Sequence, residues 1–320
     1  MPGTSGGADL RVARSLGMLL QDGRADVRRS EHAWTECLLS GPAMTCYNCS
    51  SEANRYYAEE NGYTLVKCVR CNLIYLETPP GQDEITGAHI QGLHRGERTV
   101  QTTGCYNPSV KRRYRSVLKD LFRNGINTNA HWLDIGCGYG EFIETLYEFW
   151  PESIRVVGSE PNIHKQASAR SRNLDVSFID IDRHEEKYDY ISLLNVLSHL
   201  PDPPSFLNKV KTLLKPSGEL IIQTGDTANF SAKDHYKPFY LPDHISFISE
   251  DIANSILQRC GFTIVKIVKY PHPDYALSMH NILRETAKIF LPHYKSRLPE
   301  FFSGAYRYSK TDMYIRSRKT

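Results

Sequence analysis

The residues with the clearest capacity for chemistry lie in LDIGCGYG at positions 133–140. Apolar residues flank Asp134, which predicts a short buried strand with an acid near its carboxyl end. The three glycines that follow let the backbone turn sharply and approach a ligand closely. A dinucleotide motif needs Gly-x-Gly-x-x-Gly, but here the third glycine comes one residue early and Glu141 follows it. Because a carboxylate at this position would repel a pyrophosphate, the pattern favours a ligand that carries positive charge.

A second acid stands at the end of the next predicted strand. The segment SIRVVGSEPN at 153–162 ends its apolar run at Glu160, which lies 24 positions after Gly136. In doubly wound sheets an acid about 20 residues beyond the glycine loop accepts hydrogen bonds from ribose hydroxyls. The loop and the acid together indicate a ligand that contains a nucleoside.

These residues resemble the class I (Rossmann-like) S-adenosylmethionine-dependent methyltransferases, whose first motif is Asp/Glu-x-Gly-x-Gly-x-Gly and whose second strand ends in an acid. The resemblance runs from about residue 105 to the C-terminus, and it implies S-adenosylmethionine as the cofactor. The methionine portion would lie against Asp134 and the glycine loop, the ribose against Glu160, and the adenine against Asp180, with Asp182 as a competing residue. The cofactor-binding residues implied are Asp134, Gly136, Cys137, Gly138, Gly140, Glu160, Pro161, Asp180 and Asn195.

Two histidines are candidate general bases. The segment YDYISLLNVLSHLPDP at 188–203 places His199 four residues after Asn195, and class I enzymes that act on small molecules often carry a similar segment. His199 is either a base with a suitable reference pKa or a histidine that only shapes the pocket. Further on, YLPDHISFIS resembles a segment of the sugar C-methyltransferases that have an N-terminal zinc-binding domain. That resemblance makes His244 a second candidate base and Tyr240 a residue of the pocket wall.

Four cysteines have the spacing of a zinc site. Cys46 and Cys49 form one Cys-x-x-Cys pair, and Cys68 and Cys71 form another after eighteen residues. Apolar runs on both sides of an Asn-Gly turn predict the hairpin of a zinc ribbon. Thiol-disulfide pairs or unpaired structural cysteines are the alternatives. Four thiolates would fill a tetrahedral ion and leave no open position, so we interpret the zinc as structural.

The elements between these motifs alternate. We predict strands at 131–135, 154–159, 175–180, 188–194, 217–224 and 262–269, and helices at about 140–149, 163–170, 203–214 and 249–260. Such alternation indicates a parallel sheet covered on both faces. The family resemblance adds a last antiparallel strand at 310–319. We therefore predict an α/β, doubly wound, mostly parallel seven-stranded sheet preceded by a small zinc-ribbon domain.

The domain boundaries follow from composition. We predict a flexible extension at 1–43, a zinc ribbon at 44–78, and a linker and irregular pocket-covering segment at 79–104. The methyltransferase domain would occupy 105–320, with a helical insertion at about 275–308. A helix that opens at Asn107-Pro108 would present an apolar face.

Composition limits the function. Hydrophobic residues make up 40% and charged residues 23% of the chain, and the net charge of +3 does not by itself indicate a polyanionic partner. No apolar run reaches the ~18 residues of a membrane span, so we expect a cytoplasmic protein with no membrane partner. The oligomeric state stays open.

The first hypothesis is a methyltransferase for a small-molecule or sugar-like acceptor, such as a sugar, a surface polysaccharide or a secondary metabolite. The alternative is an RNA-modifying methyltransferase whose ribbon grips nucleic acid and whose basic helix at 111–119 follows the phosphates. The ribbon's acidic residues disfavour a nucleic-acid partner. A non-catalytic binding protein is a third possibility, which the intact glycine loop disfavours.

Overall fold

The computed structural model describes residues 45–271, 279–290 and 310–320. The predicted flexible extension at 1–43 and most of the predicted helical insertion lie outside these residues. The strands are β1 (Asn54–Glu60), β2 (Tyr63–Cys68), β3 (Ile74–Leu76), β4 (Leu93–His94), β5 (Val100–Gln101), β6 (Ala130–Ile135), β7 (Ile154–Ser159), β8 (Val176–Ser177), β9 (Tyr188–Leu194), β10 (Leu214–Gly225), β11 (Ser246–Phe247), β12 (Phe262–Tyr270) and β13 (Asp312–Lys319). The α-helices are α1 (Gln82–Gln91), α2 (Lys111–Leu121), α3 (Glu141–Phe149), α4 (Ile163–Arg170), α5 (Pro203–Leu213), α6 (Glu250–Arg259) and α7 (Met279–Ile289).

A seven-stranded sheet positions the glycine loop. Its strand order is β12-β13-β10-β9-β6-β7-β8, and β13 runs antiparallel between β10 and β12 while the strands from β10 to β8 are parallel. The order reverses between β6 and β9, which creates the crevice in which such sheets bind ligands. The predicted fold class is confirmed.

The strand β8 is shorter than the predicted 175–180. Its ladder with β7 stops after Ser177, because the Ser159 hydroxyl then accepts the N–H of Ile179 in place of a backbone carbonyl. The residues that follow leave the sheet and turn along the edge of the crevice.

Residues 45–76 contain the two Cys-x-x-Cys pairs and form an antiparallel hairpin with one further strand; we call this segment the ribbon. Its sheet has a fourth strand, β11, which comes from a distant part of the chain. Strands β1, β2 and β3 are antiparallel, and β11 pairs with β3 through Ser246 opposite Tyr75. Asn61 and Gly62 both have positive φ at the hairpin turn, as a type I′ turn requires. Apolar residues of the ribbon, such as Leu73, share one core cluster with one face of the central sheet.

The segment predicted to be irregular contains helix α1. The prediction of an irregular linker was wrong here because the helix buries few apolar side chains, chiefly Ile85 and Ala88, so its sequence shows little helical periodicity. The helix ends at Gly92, whose φ of 67° is left-handed, and a Cβ there would lie 2.0 Å from the Thr103 hydroxyl. This turn sends the chain into β4 and brings His89 and His94 toward the crevice.

No helix in the described part of the chain has both the length and the apolar character needed to cross a bilayer.

Candidate functional site

A cavity of about 710 Å³, which we call the large cavity, opens at the carboxyl ends of the parallel strands. Its size falls in the range of ~300–1,000 Å³ that small-molecule and cofactor sites occupy. Six of the nine residues predicted to bind the cofactor line it: Gly136, Gly138, Glu160, Pro161, Asp180 and Asn195. The other three do not line it, because their side chains or backbone are buried behind the cavity wall: Asp134, Cys137 and Gly140.

The three glycines of the loop serve different purposes. All have positive φ, between 57° and 88°. A Cβ on Gly136 would lie 2.6 Å from Val196, and one on Gly140 would lie 2.4 Å from Leu174, so these two permit close packing within the protein. A Cβ on Gly138 would meet nothing within 4 Å. Gly138 is therefore the position where a ligand can approach the backbone. At Gly140 the need for glycine is explained by the close packing of Leu174, so its contact with a ligand stays a prediction.

Cys137 contributes no side chain to the cavity. Its thiol is buried and lies 2.7 Å from where a Cβ of Gly158 would be, so it packs between the loop and β7. Burial among apolar groups raises the pKa of the thiol well above its ordinary value. Only the backbone of Cys137 remains available to a ligand.

Asp134 lies beneath the loop, where it is 1% exposed. Its carboxylate accepts a hydrogen bond from the Ser192 hydroxyl, which in turn accepts from the indole N–H of Trp132 at 2.9 Å. Burial raises the pKa of Asp134 to about 7, despite the opposing hydrogen bond from Ser192. The Asp134 side chain thus lies behind the loop and does not line the large cavity.

The raised pKa of Asp134 predicts a pH dependence of stability. Between about pH 4 and 7 the folded chain keeps a proton that the unfolded chain has released, so this contribution to the unfolding free energy is lost as the pH rises through that window. Urea unfolding at pH 5 and pH 8 should show the wild type losing stability relative to Asp134→Asn as the pH rises. Asp175→Asn, at an exposed position, is the control. Parallel pH profiles for wild type and Asp134→Asn would contradict the expectation.

Glu160 faces the cavity and also fixes the loop. It is 4% exposed, and its carboxylate accepts the N–H groups of Gly138 at 2.9 Å and Asn162 at 3.0 Å. A carboxylate offers about four lone-pair sites, so acceptor capacity remains for a ligand's hydroxyl groups. Glu141, in contrast, accepts the N–H of Asn107 at 2.8 Å and does not line the cavity. The suggestion that Glu141 faces the ligand is therefore wrong.

The far end of the large cavity combines apolar and acidic groups. Phe178, Ile179 and Ile181 line it, beside the two competing acids. Asp180 lies 3.5 Å from Arg183, and Asp182 pairs with Lys209. Both carboxylates are about half exposed, so the choice between them stays a prediction.

A second cavity of about 150 Å³, which we call the small cavity, meets the large one at Asn195. Asn195 has a φ of 58°, a left-handed conformation that asparagine tolerates better than most residues. Aromatic rings and imidazoles form much of the small cavity's wall: His235, Tyr236, Phe239, Tyr240, His244 and Phe247. Tyr240, predicted to line a pocket, and His244, predicted as a candidate base, both line this cavity, while the role of His244 as a base stays a prediction.

Buried polar atoms line the small cavity without hydrogen-bond partners among the described residues. They are Ser198 Oγ, Thr227 Oγ1 and His235 Nε2. Burial lowers the pKa of His235 to about 4, which leaves its imidazole neutral near pH 7. Because unsatisfied buried polar atoms are costly, these groups indicate a cavity built for a polar occupant.

Three imidazoles surround one carboxylate at the wall of the large cavity. The nearest nitrogens of His94, His199 and His89 lie 2.9, 3.2 and 3.9 Å from Asp243 Oδ1. His199 Nδ1 also lies 2.7 Å from the backbone carbonyl of Asp243, and since a carbonyl can only accept, this nitrogen carries the proton. The His199 ring lies 4.8 Å from that of His244.

The cluster is strongly coupled electrostatically. Burial opposes ionisation of Asp243, but the neighbouring His199 and His94 outweigh it and hold the pKa of the carboxyl well below its usual range. Burial likewise opposes charging of His199, but the Asp243 carboxylate raises its pKa above the ordinary value. The sequence singled out His199 but missed His89 and His94, since both come from the segment with no recognisable pattern.

The four ribbon cysteines converge. Cys46 Sγ lies 3.5 Å from Cys71 Sγ, and Cys49 Sγ lies 3.5 Å from Cys68 Sγ, with all four thiols within 4.8 Å of one another. Zn–S bonds of about 2.3 Å in a tetrahedron place sulfurs roughly 3.8 Å apart. The cluster therefore matches the size of a four-thiolate metal site.

Comparisons with known proteins agree with the geometry of the large cavity. A family model described as a methyltransferase domain matches residues 106–267. A ubiquinone biosynthesis O-methyltransferase of Salmonella paratyphi A is 29% identical over 103 residues, which are 29% of this chain and 41% of that protein. A tRNA U34 carboxymethyltransferase of Nautilia profundicola is 32% identical over 124 residues, which are 35% of this chain and 40% of that protein. The chain thus spans about two fifths of the length of these relatives.

One solved structure shares the fold. A protein from Galdieria sulphuraria, assigned as a sarcosine dimethylglycine methyltransferase, superimposes with a TM-score of 0.51 at 16% identity, covering 68% of this chain and 92% of that one. At this identity the likeness concerns the fold alone.

Proposed function

Because the chain belongs to the methyltransferase-domain family, we propose that this S-adenosylmethionine-dependent methyltransferase acts on a small, sugar-like acceptor held in the small cavity. The observation that carries the proposal is the meeting of two cavities at Asn195, one large enough for the cofactor and one smaller, with aromatic walls and unpartnered polar atoms. A methyl donor in the large cavity and an acceptor in the small one would face each other there.

The large cavity fits the cofactor. Gly138 leaves open space in front of its backbone, and Glu160 retains acceptor capacity for the two ribose hydroxyls. When bound, S-adenosylmethionine supplies a methyl group on a sulfonium for an in-line displacement, in which positioning accounts for much of the rate. We propose that Asp134 acts from behind the loop and that Asn195 lies beside the reacting methyl group.

The small cavity suits a polar ring. Its aromatic walls offer flat apolar surface, while Ser198, Thr227 and His235 present unpartnered polar atoms. A sugar ring has both apolar faces and hydroxyl groups around its edge, so it can satisfy both kinds of wall. With about 150 Å³, the cavity has room for one such ring.

The position of the two predicted bases supports different roles. His244 lines the small cavity, beside the proposed acceptor, whereas His199 lines the large one. We therefore propose that His244 contacts the proton that the acceptor loses. Burial and the neighbouring His199 lower the pKa of its imidazole to about 4, which leaves it neutral near pH 7 and able to accept a hydrogen bond there. We also propose that the four cysteines bind zinc as a structural ion, because four thiolates leave it no open position.

Substitutions at Ser198 test the acceptor site. The full chain with S-adenosylmethionine is assayed against monosaccharides, nucleotide sugars and small phenols, with S-adenosylhomocysteine formation as the readout. Ser198→Ala should raise the acceptor KM by roughly 2- to 10-fold, the effect of one hydrogen bond. Ser198→Leu should fill the cavity and abolish turnover. Both variants should bind S-adenosylhomocysteine as the wild type does, and full turnover by Ser198→Leu would overturn this assignment.

An RNA acceptor is the alternative, and the tRNA carboxymethyltransferase among the relatives is the observation that favours it. It predicts that the full chain binds RNA with an affinity that falls steeply with salt, because phosphate contacts release counterions. Salt-sensitive RNA binding together with methylated RNA product would replace the small-acceptor proposal.

A further inference from the structure

The histidines around Asp243 form a cluster that the cofactor site does not need. They come from two parts of the chain: His89 in α1 and His94 in β4 flank the turn at Gly92, and His199 lies in the turn after β9. One potential ligand atom from each of His89, His199 and Asp243 lies within 4.8 Å of the others, and all three residues line the large cavity. Convergence of imidazoles on a buried carboxylate from distant segments is typical of a metal site.

The buried His94 orients the carboxylate. His94 is 2% exposed, and its Nε2 lies 2.9 Å from Asp243 Oδ1, within hydrogen-bond distance of it. Outer-shell partners of this kind fix the direction of a carboxylate that binds a metal ion. His94 therefore holds Asp243 beside His89 and His199.

His199 is oriented as metal-binding histidines are. Its Nδ1 proton goes to the backbone carbonyl of Asp243 at 2.7 Å, which leaves the lone pair on Nε2. Metal-ligating histidines usually donate their other ring N–H to a carbonyl or carboxylate, which fixes both tautomer and ring orientation.

We propose that His89, His199 and Asp243 bind a divalent transition-metal cation of the zinc type, with His94 as an additional nitrogen beside the carboxylate. Three protein ligands leave coordination positions open toward the large cavity, where an oxygen atom of water or acceptor can bind. The metal site itself does not depend on the proposed function. Only the assignment of that oxygen atom to a methyl acceptor rests on it.

Cobalt titration of the full chain tests the site. With zinc already bound at the cysteines, Co²⁺ alone should bind as one further equivalent and give d–d absorption without thiolate-to-cobalt charge transfer. His89→Ala should lose this equivalent, and His94→Ala should weaken it by roughly 10- to 100-fold. His164→Ala removes an exposed histidine outside the cluster and should bind Co²⁺ as the wild type does. Thermal melting of each variant checks that the fold persists.

The outcomes separate this inference from the proposed function. The metal site would be overturned if the wild type bound no further equivalent of Co²⁺, or if His89→Ala bound Co²⁺ as the wild type does. The charge of Asp243 would then be balanced by a protonated His199. In that case S-adenosylhomocysteine binding and methyl transfer would still stand. A chain that binds Co²⁺ as expected but no S-adenosylhomocysteine would contradict the proposed function and leave the metal site intact.

Discussion

Replacing Glu160 by alanine is expected to weaken binding of S-adenosylmethionine and S-adenosylhomocysteine by ~100-fold or more, since each hydrogen bond to a charged group contributes about 1.5–3 kcal/mol. The carboxylate is 4% exposed and holds the N–H groups of Gly138 and Asn162. Its removal would take away the proposed ribose acceptor and at the same time release the glycine loop. Isothermal titration calorimetry with S-adenosylhomocysteine measures the loss.

Glu160→Gln separates these two effects. The amide keeps the size of the side chain, but its NH₂ group would face one of the two backbone N–H groups, so one loop contact becomes a contact between two donors. We expect this variant to remain folded in urea titrations and still to bind at least 10-fold more weakly. Glu152→Gln, at an exposed position, is the matched control. Wild-type affinity in Glu160→Gln would show that the ribose is held elsewhere.

The sequence predicted the central sheet and the cofactor loop because both have local signals. Apolar runs of strand length alternate with helical patterns, and the glycines at 136 and 138 stand where a backbone must take positive φ. What the motif could not show is which glycine meets the ligand. Gly140 packs near Leu174, in the connection between α4 and β8, and Cys137 packs near Gly158 of β7. These contacts depend on how the loop packs against those elements and do not follow from spacing in the loop.

The parts that the sequence missed depend on contacts between distant residues. Helix α1 buries only two apolar side chains, so it has no amphipathic pattern, yet it brings His89 to Asp243, which lies more than 150 positions away. The small cavity is likewise built from a loop whose backbone is held by hydrogen bonds from the ribbon. No local pattern in residues 226–247 indicates that the ribbon holds them.

The ribbon contacts the backbone of the small-cavity loop through polar side chains. Glu60 accepts the N–H groups of Phe239 at 2.9 Å and Leu241 at 3.2 Å, and Asn61 donates to the Leu241 carbonyl at 2.9 Å. The buried Lys67 ammonium donates to the Ala228 carbonyl at 2.7 Å. These contacts fix both ends of the stretch that carries His235, Phe239 and Tyr240.

Glu60→Ala is therefore expected to damage the acceptor site and spare the cofactor site. The loop would lose two hydrogen bonds to a carboxylate, so we expect the acceptor KM to rise at least ~10-fold while affinity for S-adenosylhomocysteine stays within about twofold. Amide hydrogen exchange gives a readout that needs no acceptor, because protection should fall across 235–247 and stay unchanged across 133–162.

Glu59→Ala is the matched control, because Glu59 is the neighbouring residue on the same strand and is exposed. Removing the proposed zinc with a chelator should reproduce the Glu60→Ala pattern more strongly, since the four thiolates would hold both ends of the β1–β2 hairpin through that ion. Equal exchange rates for wild type and Glu60→Ala across 235–247 would mean that the loop holds its conformation by itself. The expected pattern would instead mean that the ribbon acts on the methyl acceptor by fixing the backbone that forms the small cavity, and that the proposed zinc needs no contact with either substrate.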